Sequence, residues 1–474
     1  MRRTKIVCTI GPATNSEQMI EKLILAGMNV ARLNFSHVTQ KEHGRVIDLI
    51  RKISSKHNKP VAILQDLAGP KIRTGKIKNG PVVLSSGQKF CLTSRDVEGS
   101  ADEVSITYKN LPKDVLPGDT LLLCDGAIEL EVKSVTEQDI ICNIIVGGEL
   151  DSHKGINLPD RTIQADVLTD KDRSDLLFGI EKKVDYVALS FVRNVQDVLR
   201  VKNIINESGL DVRLIAKIEK HEALKNIDEI IEVVDGIMVA RGDLGVEIPI
   251  EMVPRYQKRL IRIANRAAKP VITATQMLKS MVDNPRPTRA EVTDVANAIL
   301  DGSDAIMLSE ETAVGKYPVE TVEMMNKVAL SIEQSFPFKE WNKKFRDHEL
   351  LSAAEAVAFS ACQIAESTGA SMIVASTKSG STARLVSKYR PSQIILATTP
   401  DTRTYYHLAL VWGAVPVLMP QVKTTDEIET HAVNLAEKSG YVKQDDQIVL
   451  IAGVPLYVAG TTNLIKITKI EKKG

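Results

Sequence analysis

Short apolar runs alternate with amphipathic stretches along most of the chain. Ile6–Ile10, Met28–Leu33 and Val61–Asp66 read as strands, and Ser16–Ala26 and Gln40–Lys56 as the helices between them. From Gly69 to about Pro159 the period changes to two. Turn signals at Asn79-Gly80-Pro81, Pro117-Gly118-Asp119, Asp125-Gly126 and Gly147-Gly148 punctuate it, which predicts an inserted all-β module. The strand–helix rhythm then returns, with strands at Tyr186–Ser190, Arg213–Lys217, Gly236–Ala240, Pro270–Thr273 and Ala305–Leu308. Three units before the insertion and five after it make eight, the number that closes a TIM (β/α)8 barrel. An open doubly wound sheet is the alternative.

A charged stretch, Lys339–His348, precedes a final unit. There a helix over Ser352–Ser367 and strands at Met372–Ser376, Gln393–Thr398, Val415–Met419, Gln447–Ala452 and Asn463–Thr468 predict an α/β open sheet. The chain therefore divides into a first barrel part (1–69), a β lid domain (70–160), a second barrel part (161–340) and a C-terminal α/β domain (350–474). Gly69-Pro70 and Leu158-Pro159 are the expected hinges of the lid. Thr288, with Glu291 three residues on, marks a helix start by the capping-box spacing.

Composition narrows the class. With 474 residues, 43% hydrophobic and 26% charged, the chain is a globular protein of several domains. Aromatics are only 4%, so the cores are aliphatic, as parallel sheets require. A net charge of +1 excludes a general nucleic-acid binder. The five cysteines show no CxxC spacing and read as buried free thiols of a reducing cytosol. No apolar run is long enough for a membrane span, and Lys5–Ile10 is too short for a signal-peptide core. A cytoplasmic protein is expected, with no membrane and no nucleic-acid partner.

Catalytic residues of such barrels sit at the strands' C-terminal ends. Lys217 and Glu219 end one strand and point the same way; Asp243 follows the next one, inside Arg241-Gly242-Asp243-Leu244-Gly245. Two carboxylates with an ammonium beside them suit a hard divalent cation and a developing oxyanion. Gly242 and Gly245 let backbone N–H groups approach a carboxylate. The alternative is a structural Lys217–Glu219 ion pair, with Asp243 an ordinary turn residue. Asn34, Ser36 and Asp66 offer oxygens to a monovalent or divalent cation, and Arg32 a clamp for a phosphoryl group, or together they hold the barrel rim. Lys71 and Arg73 add positive charge at the base of the lid. Thr275, beside Thr273, fits a substrate carboxylate or a proton-relaying water, and equally a core threonine bonded to backbone. The loop Thr377-Lys378-Ser379-Gly380-Ser381-Thr382 reads as a phosphate site at a helix N-terminus or as an ordinary N-cap loop; it has no Walker or GxGxxG pattern.

The blocks KIVCTIGPAT, NVARLNFSH, QDLAGPKIRTG, HKGINLP, ALSFVR, IAKIEKHEAL, MVARGDLGVEIP, ITATQML and IMLSEETAVGKYPVE, in this order, resemble the pyruvate kinase family over residues 4–474. The resemblance implies a barrel with a β lid and a C-terminal effector domain, moving the phosphoryl group of phosphoenolpyruvate onto ADP to give pyruvate and ATP. It implies Mg²⁺ (or Mn²⁺) on Glu219 and Asp243, with a second Mg²⁺ carried by the nucleotide. By the same resemblance Lys217 stabilises the transferring phosphoryl and the enolate, Arg32 grips the phosphoryl, and Thr275 with the Gly242 and Asp243 amides holds the carboxylate. Asn34, Phe35, Ser36, His37, Arg73 and Lys154 would contact the nucleotide. Asn34, Ser36, Asp66 and Leu67 would hold potassium. Potassium-requiring members usually carry Glu where this chain has Lys71, so K⁺ is expected to be dispensable. Residues Thr377 to Thr382 correspond to the effector phosphate loop. Gly453–Asn463 offers no arginine for a second phosphate, which points to a sugar monophosphate or AMP rather than fructose 1,6-bisphosphate. A homotetramer is implied by the family alone. The other readings are a Mg²⁺-dependent aldolase or lyase on a similar barrel, and a metabolite-binding regulator without catalysis.

Overall fold

Eight parallel strands close into a barrel in the computed structural model, which describes residues 1–159, 166–346, 352–458 and 460–470. They are Lys5–Thr9, Val30–Asn34, Ala62–Asp66, Tyr186–Leu189, Arg213–Ile218, Gly236–Ala240, Val271–Ala274 and Ala305–Leu308. The closed barrel rules out the open doubly wound alternative. Each strand is short and apolar because both faces are covered. Val7, Leu64, Ile215 and Met307 fill the interior, while Ile6, Ile63, Leu214 and Ile306 meet the surrounding helices.

The inserted module leaves after the third strand, at Gly69. It forms a six-stranded sheet and a two-stranded sheet around its own core, with Phe90, Leu121, Val132 and Ile144 at the centre. A single helical turn, Leu111–Asp114, interrupts the otherwise all-β pattern. The C-terminal unit is a five-stranded sheet in which the last strand, Thr462–Lys469, runs antiparallel against Gln447–Gly453. Its Ala409 and Leu410 extend the hydrophobic cluster of the barrel interior.

Three local expectations change. The amphipathic stretch after Glu219 is two short helices, His221–Lys225 and Ile227–Val233, broken at Asn226. Arg241-Gly242-Asp243-Leu244-Gly245 is not a loop but the start of a helix, Arg241–Glu247. The charged stretch at 339–348 is largely a helix, Phe338–Arg346, whose Trp341 packs into the C-terminal core; residues 347 and 348 lie outside the described residues. The domain limits at 160/161 and 350 also fall outside them. Cys8, Cys142 and Cys362 are buried free thiols, whereas Cys91 and Cys124 are partly exposed.

Candidate active site

Strand register brings the polar residues of five neighbouring strand ends together. Arg32 lies beside Thr9, and Asn34 beside Asp66. Arg32 Nε donates to Asp66 Oδ2 at 2.6 Å and its Nη1 to Thr9 Oγ1 at 2.9 Å, so the guanidinium plane is fixed twice. Lys217 Nζ lies 2.7 Å from Glu219 Oε1 and 3.3 Å from Asp66 Oδ1, and donates to Ser190 Oγ at 2.8 Å. Glu219 Oε2 accepts the Phe191 N–H at 2.9 Å. Asp66 and Glu219 are each 1% exposed.

Burial and charge oppose one another here. Burial alone lowers the Lys217 pKa, but the Asp66 and Glu219 carboxylates, with Asp243 adding to them, more than reverse this and raise it. Burial likewise disfavours ionised Asp66; Lys217 and Arg32 overcome it and hold its pKa down. Glu219 goes the other way: burial raises it, Lys217 opposes, and the nearby Asp243 charge adds to the rise. A buried carboxylate destabilised by a second carboxylate is a donor set that fits a hard divalent cation.

Asp243 sits in the first turn of the helix Arg241–Glu247, with Lys71 Nζ 3.6 Å from its Oδ1. Thr275 stands just beyond the seventh strand at φ +71°, a left-handed conformation rare for a β-branched residue. Arg241 holds it there, donating to the Thr275 carbonyl at 2.7 Å, to the Ala274 carbonyl at 3.2 Å and to Asp294 at 2.7 Å. Thr275 Oγ1 accepts the Gly242 N–H at 2.9 Å and donates to the Ala274 carbonyl at 2.7 Å. The amide and hydroxyl assigned jointly to a substrate carboxylate are therefore neighbours. Thr273 is a core residue, bonded to Ser303 at 2.7 Å.

Other expected site residues are less uniform. The ring of Phe35 is 1% exposed and stacked on His43 at 4.0 Å, so a nucleotide would meet this residue through its backbone. Ser36 and His37 are exposed beside Asn34, whose Oδ1 accepts the Ser36 N–H. Leu67 is buried, leaving only its carbonyl as a ligand, and Ser190 Oγ donates to that carbonyl at 2.8 Å. Arg73 and Lys154 stand on adjoining rungs of the lid, Arg73 Nη1 bonding the His153 carbonyl. A cleft of about 510 Å³ separates the foot of the lid from the barrel, lined by Lys71, Asn157, Phe191 and Lys220 among others. The Thr377–Thr382 segment lines a separate pocket of about 390 Å³ in the C-terminal unit. Sequence reasoning gave no role to Ser190, Phe191 or Asp172; Asp172 Oδ1 accepts the Ala68 and Gly69 N–H groups where the chain leaves the barrel for the inserted module. Their only signal was position, at a strand end or a Thr169–Asp172 capping-box spacing.

Barrel, inserted β module and a buried ammonium among carboxylates at the strand ends make the site of an enzyme suited to anionic substrates. Comparison with known proteins gives the family. Residues 1–322 match "Pyruvate kinase, barrel domain" and residues 355–468 match "Pyruvate kinase, alpha/beta domain". The chain is 49% identical over 472 residues to the pyruvate kinase of Staphylococcus epidermidis, covering 98% of this chain and 80% of that protein. It is 45% identical over 473 residues to that of Clostridium acetobutylicum, covering 99% and 100%. A crystal structure of a pyruvate kinase from Cryptosporidium parvum superposes with TM-score 0.94 at 37% identity, covering 99% of this chain and 96% of that one. This chain belongs to the pyruvate kinase family, and its activity is transfer of the phosphoryl group of phosphoenolpyruvate to ADP, a step of glycolysis. Among the described residues no helix is long and apolar enough to cross a membrane.

Proposed function

We propose that the transfer takes place over Lys217, with Arg32, Asp66, Glu219, Asp243 and Thr275 around it. The observation that carries this is one ammonium bonded at 2.7 Å to Glu219 and lying 3.3 Å from the Asp66 that also fixes Arg32. With its pKa raised, Lys217 stays a cation at any working pH. It is therefore a stabiliser of phosphoryl and enolate charge, not a proton donor. Arg32, locked in plane, orients the phosphoryl group, and Thr275 with the Gly242 and Asp243 amides orients the carboxylate. Thr275 also aligns the water that delivers the proton to the enolate carbon.

Glu219 and Asp243 would hold Mg²⁺, with Mn²⁺ as a substitute and a second ion accompanying the nucleotide. When bound, such an ion supplies Lewis-acid neutralisation of phosphoryl and enolate oxygens. Asn34, Ser36, His37, Arg73 and Lys154 line the nucleotide's path, and the lid, residues 70–160, closes on it and excludes water. Assay of pyruvate release tests the assignment. Activity must require ADP and Mg²⁺ in the parent and fall at least about 100-fold in Glu219→Gln; release without ADP would indicate a lyase.

Potassium would use Asn34, Ser36, Asp66 and the Leu67 carbonyl. The Asp66 carboxylate is buried, and its Oδ1 already faces the Lys217 ammonium at 3.3 Å, so potassium would share it with that cation. The fixed Lys71 ammonium supplies a charge of the same sign beside Asp243. The rate in potassium- and sodium-free buffer is accordingly expected to stay above about a hundredth of the potassium rate. For the effector, Lys378 is the one charged residue described in the lining of the Thr377–Thr382 pocket, which supports a monophosphate, a sugar phosphate or AMP. Calorimetric titration that finds tight bisphosphate binding and none of monophosphates would reverse this. A cytoplasmic homotetramer is proposed from the family; sedimentation reads the assembly.

A further inference from the structure

Ser190 and Phe191 follow the fourth barrel strand, and the reaction as described assigns them nothing. Ser190 is 1% exposed; its hydroxyl accepts from Lys217 Nζ at 2.8 Å and donates to the Leu67 carbonyl at 2.8 Å. Phe191 has φ +57°, left-handed for a bulky residue, at a cost of about 1–3 kcal/mol. Its N–H is bonded to Glu219 Oε2 at 2.9 Å. One turn thus holds both side chains from behind, Lys217 through a hydroxyl and Glu219 through a backbone amide.

The same turn touches the lid hinge. Gly69, at φ +67°, packs so closely that a Cβ there would meet Phe191 Cδ2 at 2.6 Å and Ser190 Cβ at 3.0 Å. The chain enters the lid one residue later. Leu67, whose carbonyl takes the Ser190 hydroxyl, lies two residues before Gly69 on the same hinge. The Ser190 hydroxyl therefore joins the Leu67 carbonyl to Lys217, while the Phe191 ring packs at Gly69 and the Phe191 N–H meets Glu219.

We infer that Ser190 is a positioning residue for Lys217, and that the Ser190–Phe191 turn ties the aim of Lys217 and Glu219 to the conformation of the hinge at Gly69. The inference rests on the catalytic reading of Lys217 and the metal reading of Glu219. The Lys217 ammonium ends a flexible stem and is held by three acceptors, Glu219, Asp66 and Ser190. Without the hydroxyl it keeps two carboxylates and is free to shift between them, and a displacement near 1 Å costs on the order of 100-fold in rate. Glu219 keeps the Phe191 amide, so metal affinity is spared. A lid swing that moves Gly69 presses on Phe191 and moves both.

The test measures kcat and KM for phosphoenolpyruvate, Mn²⁺ affinity without substrates by electron paramagnetic resonance, and melting temperature. Ser190→Ala is expected to lower kcat by about 10- to 100-fold, with KM and the Mn²⁺ dissociation constant within about threefold of the parent. Gly69→Ala is expected to lower kcat and also to weaken Mn²⁺ binding by more than about threefold, although residue 69 bonds neither Lys217 nor Glu219. A Ser190→Ala enzyme within about twofold of the parent kcat overturns the positioning role. Unchanged Mn²⁺ affinity in Gly69→Ala overturns the hinge link. Should Ser190→Ala not fold, Ser190→Cys keeps the volume, weakens the acceptor and gives the same readings. Glu219→Gln, run in parallel, separates the two layers: if it retains Mn²⁺ affinity the metal reading fails, while the kcat result at Ser190 stands.

Discussion

Beyond the catalytic role proposed for it, Lys217 carries the charge that makes two buried carboxylates tolerable. Replacing it by methionine leaves Asp66 with Arg32 alone and Glu219 with a single backbone amide. Lys217→Met is therefore expected to lower kcat by about 100- to 1,000-fold and to lower the melting temperature as well. The sign of the pH effect follows. Asp66 has a folded pKa below its ordinary 3.8, so its stabilising contribution is full above that value and is lost as pH falls through the folded one. Lys217 is raised above its ordinary 10.5, so its contribution is full below 10.5 and is lost only as pH rises through the folded value. The gap between thermal melts of parent and Lys217→Met should narrow on acidification, as Glu219 and then Asp66 take up protons and no longer need the ammonium. A gap that widens on acidification would contradict the pairing.

Elements were legible where one physical signal dominates. A parallel strand covered on both faces is an apolar run between turn residues, and all eight barrel strands fall within a residue or two of their expected limits. Helix Arg289–Leu300 begins at the expected capping box, with Thr288 Oγ1 accepting from Glu291 N and Glu291 accepting from Thr288 N. Glu291 also accepts from Ser280 N and Oγ, a bond pattern between separate elements that spacing does not reveal. That second pair ties the helix carrying Asp294, and so Arg241, to the chain after the seventh strand. Glu291→Ala is accordingly expected to destabilise more than Thr288→Ala, whose cost is about 1 kcal/mol. Partial burial pushes Glu291 up, but the Ser280 and Thr288 bonds more than reverse it. Its contribution is thus present above its ordinary 4.5 and lost as pH falls through the lower folded value, which paired denaturant melts at pH 7 and 3.5 will show. What sequence missed has the same cause. The helix Arg241–Glu247 contains two glycines and looks like a loop, yet Arg241 anchors it to residues 274, 275 and 294. Ser190 meets Lys217 across a strand pair, and register between strands is not written in either one.

At the scale of the whole molecule, the end of the barrel opposite the proposed site is closed by the C-terminal unit. There the C-terminal unit inserts Leu410 into the interior cluster and ties down the strand starts: His407 accepts from Tyr186 Oη through its carbonyl, and Arg213 donates to the Ser379 carbonyl. Arg390 is the central tie. At 1% exposure it donates to Asp304 Oδ1 at 3.0 Å, Asn265 Oδ1 at 2.9 Å and the Gly302 carbonyl at 2.8 Å, with its guanidinium 4.7 Å from the Trp412 ring. The Asp304 carboxylate in turn accepts the Val271 N–H, and its backbone carbonyl accepts the Lys5 N–H, so one residue just before the eighth strand also ties the seventh and the first. Removing the arginine leaves that carboxylate buried without its charged partner, a loss of about 3–5 kcal/mol. Arg390→Met is expected to lower the main calorimetric transition and to split from it an earlier one belonging to the C-terminal unit. The proposed substrate site lies at the other end of the barrel, so KM for phosphoenolpyruvate should change by less than about threefold below the first transition. An Arg390→Met enzyme that melts in one step at the parent temperature would mean that apolar packing around Leu410 and Trp412, not this ion pair, joins the two units.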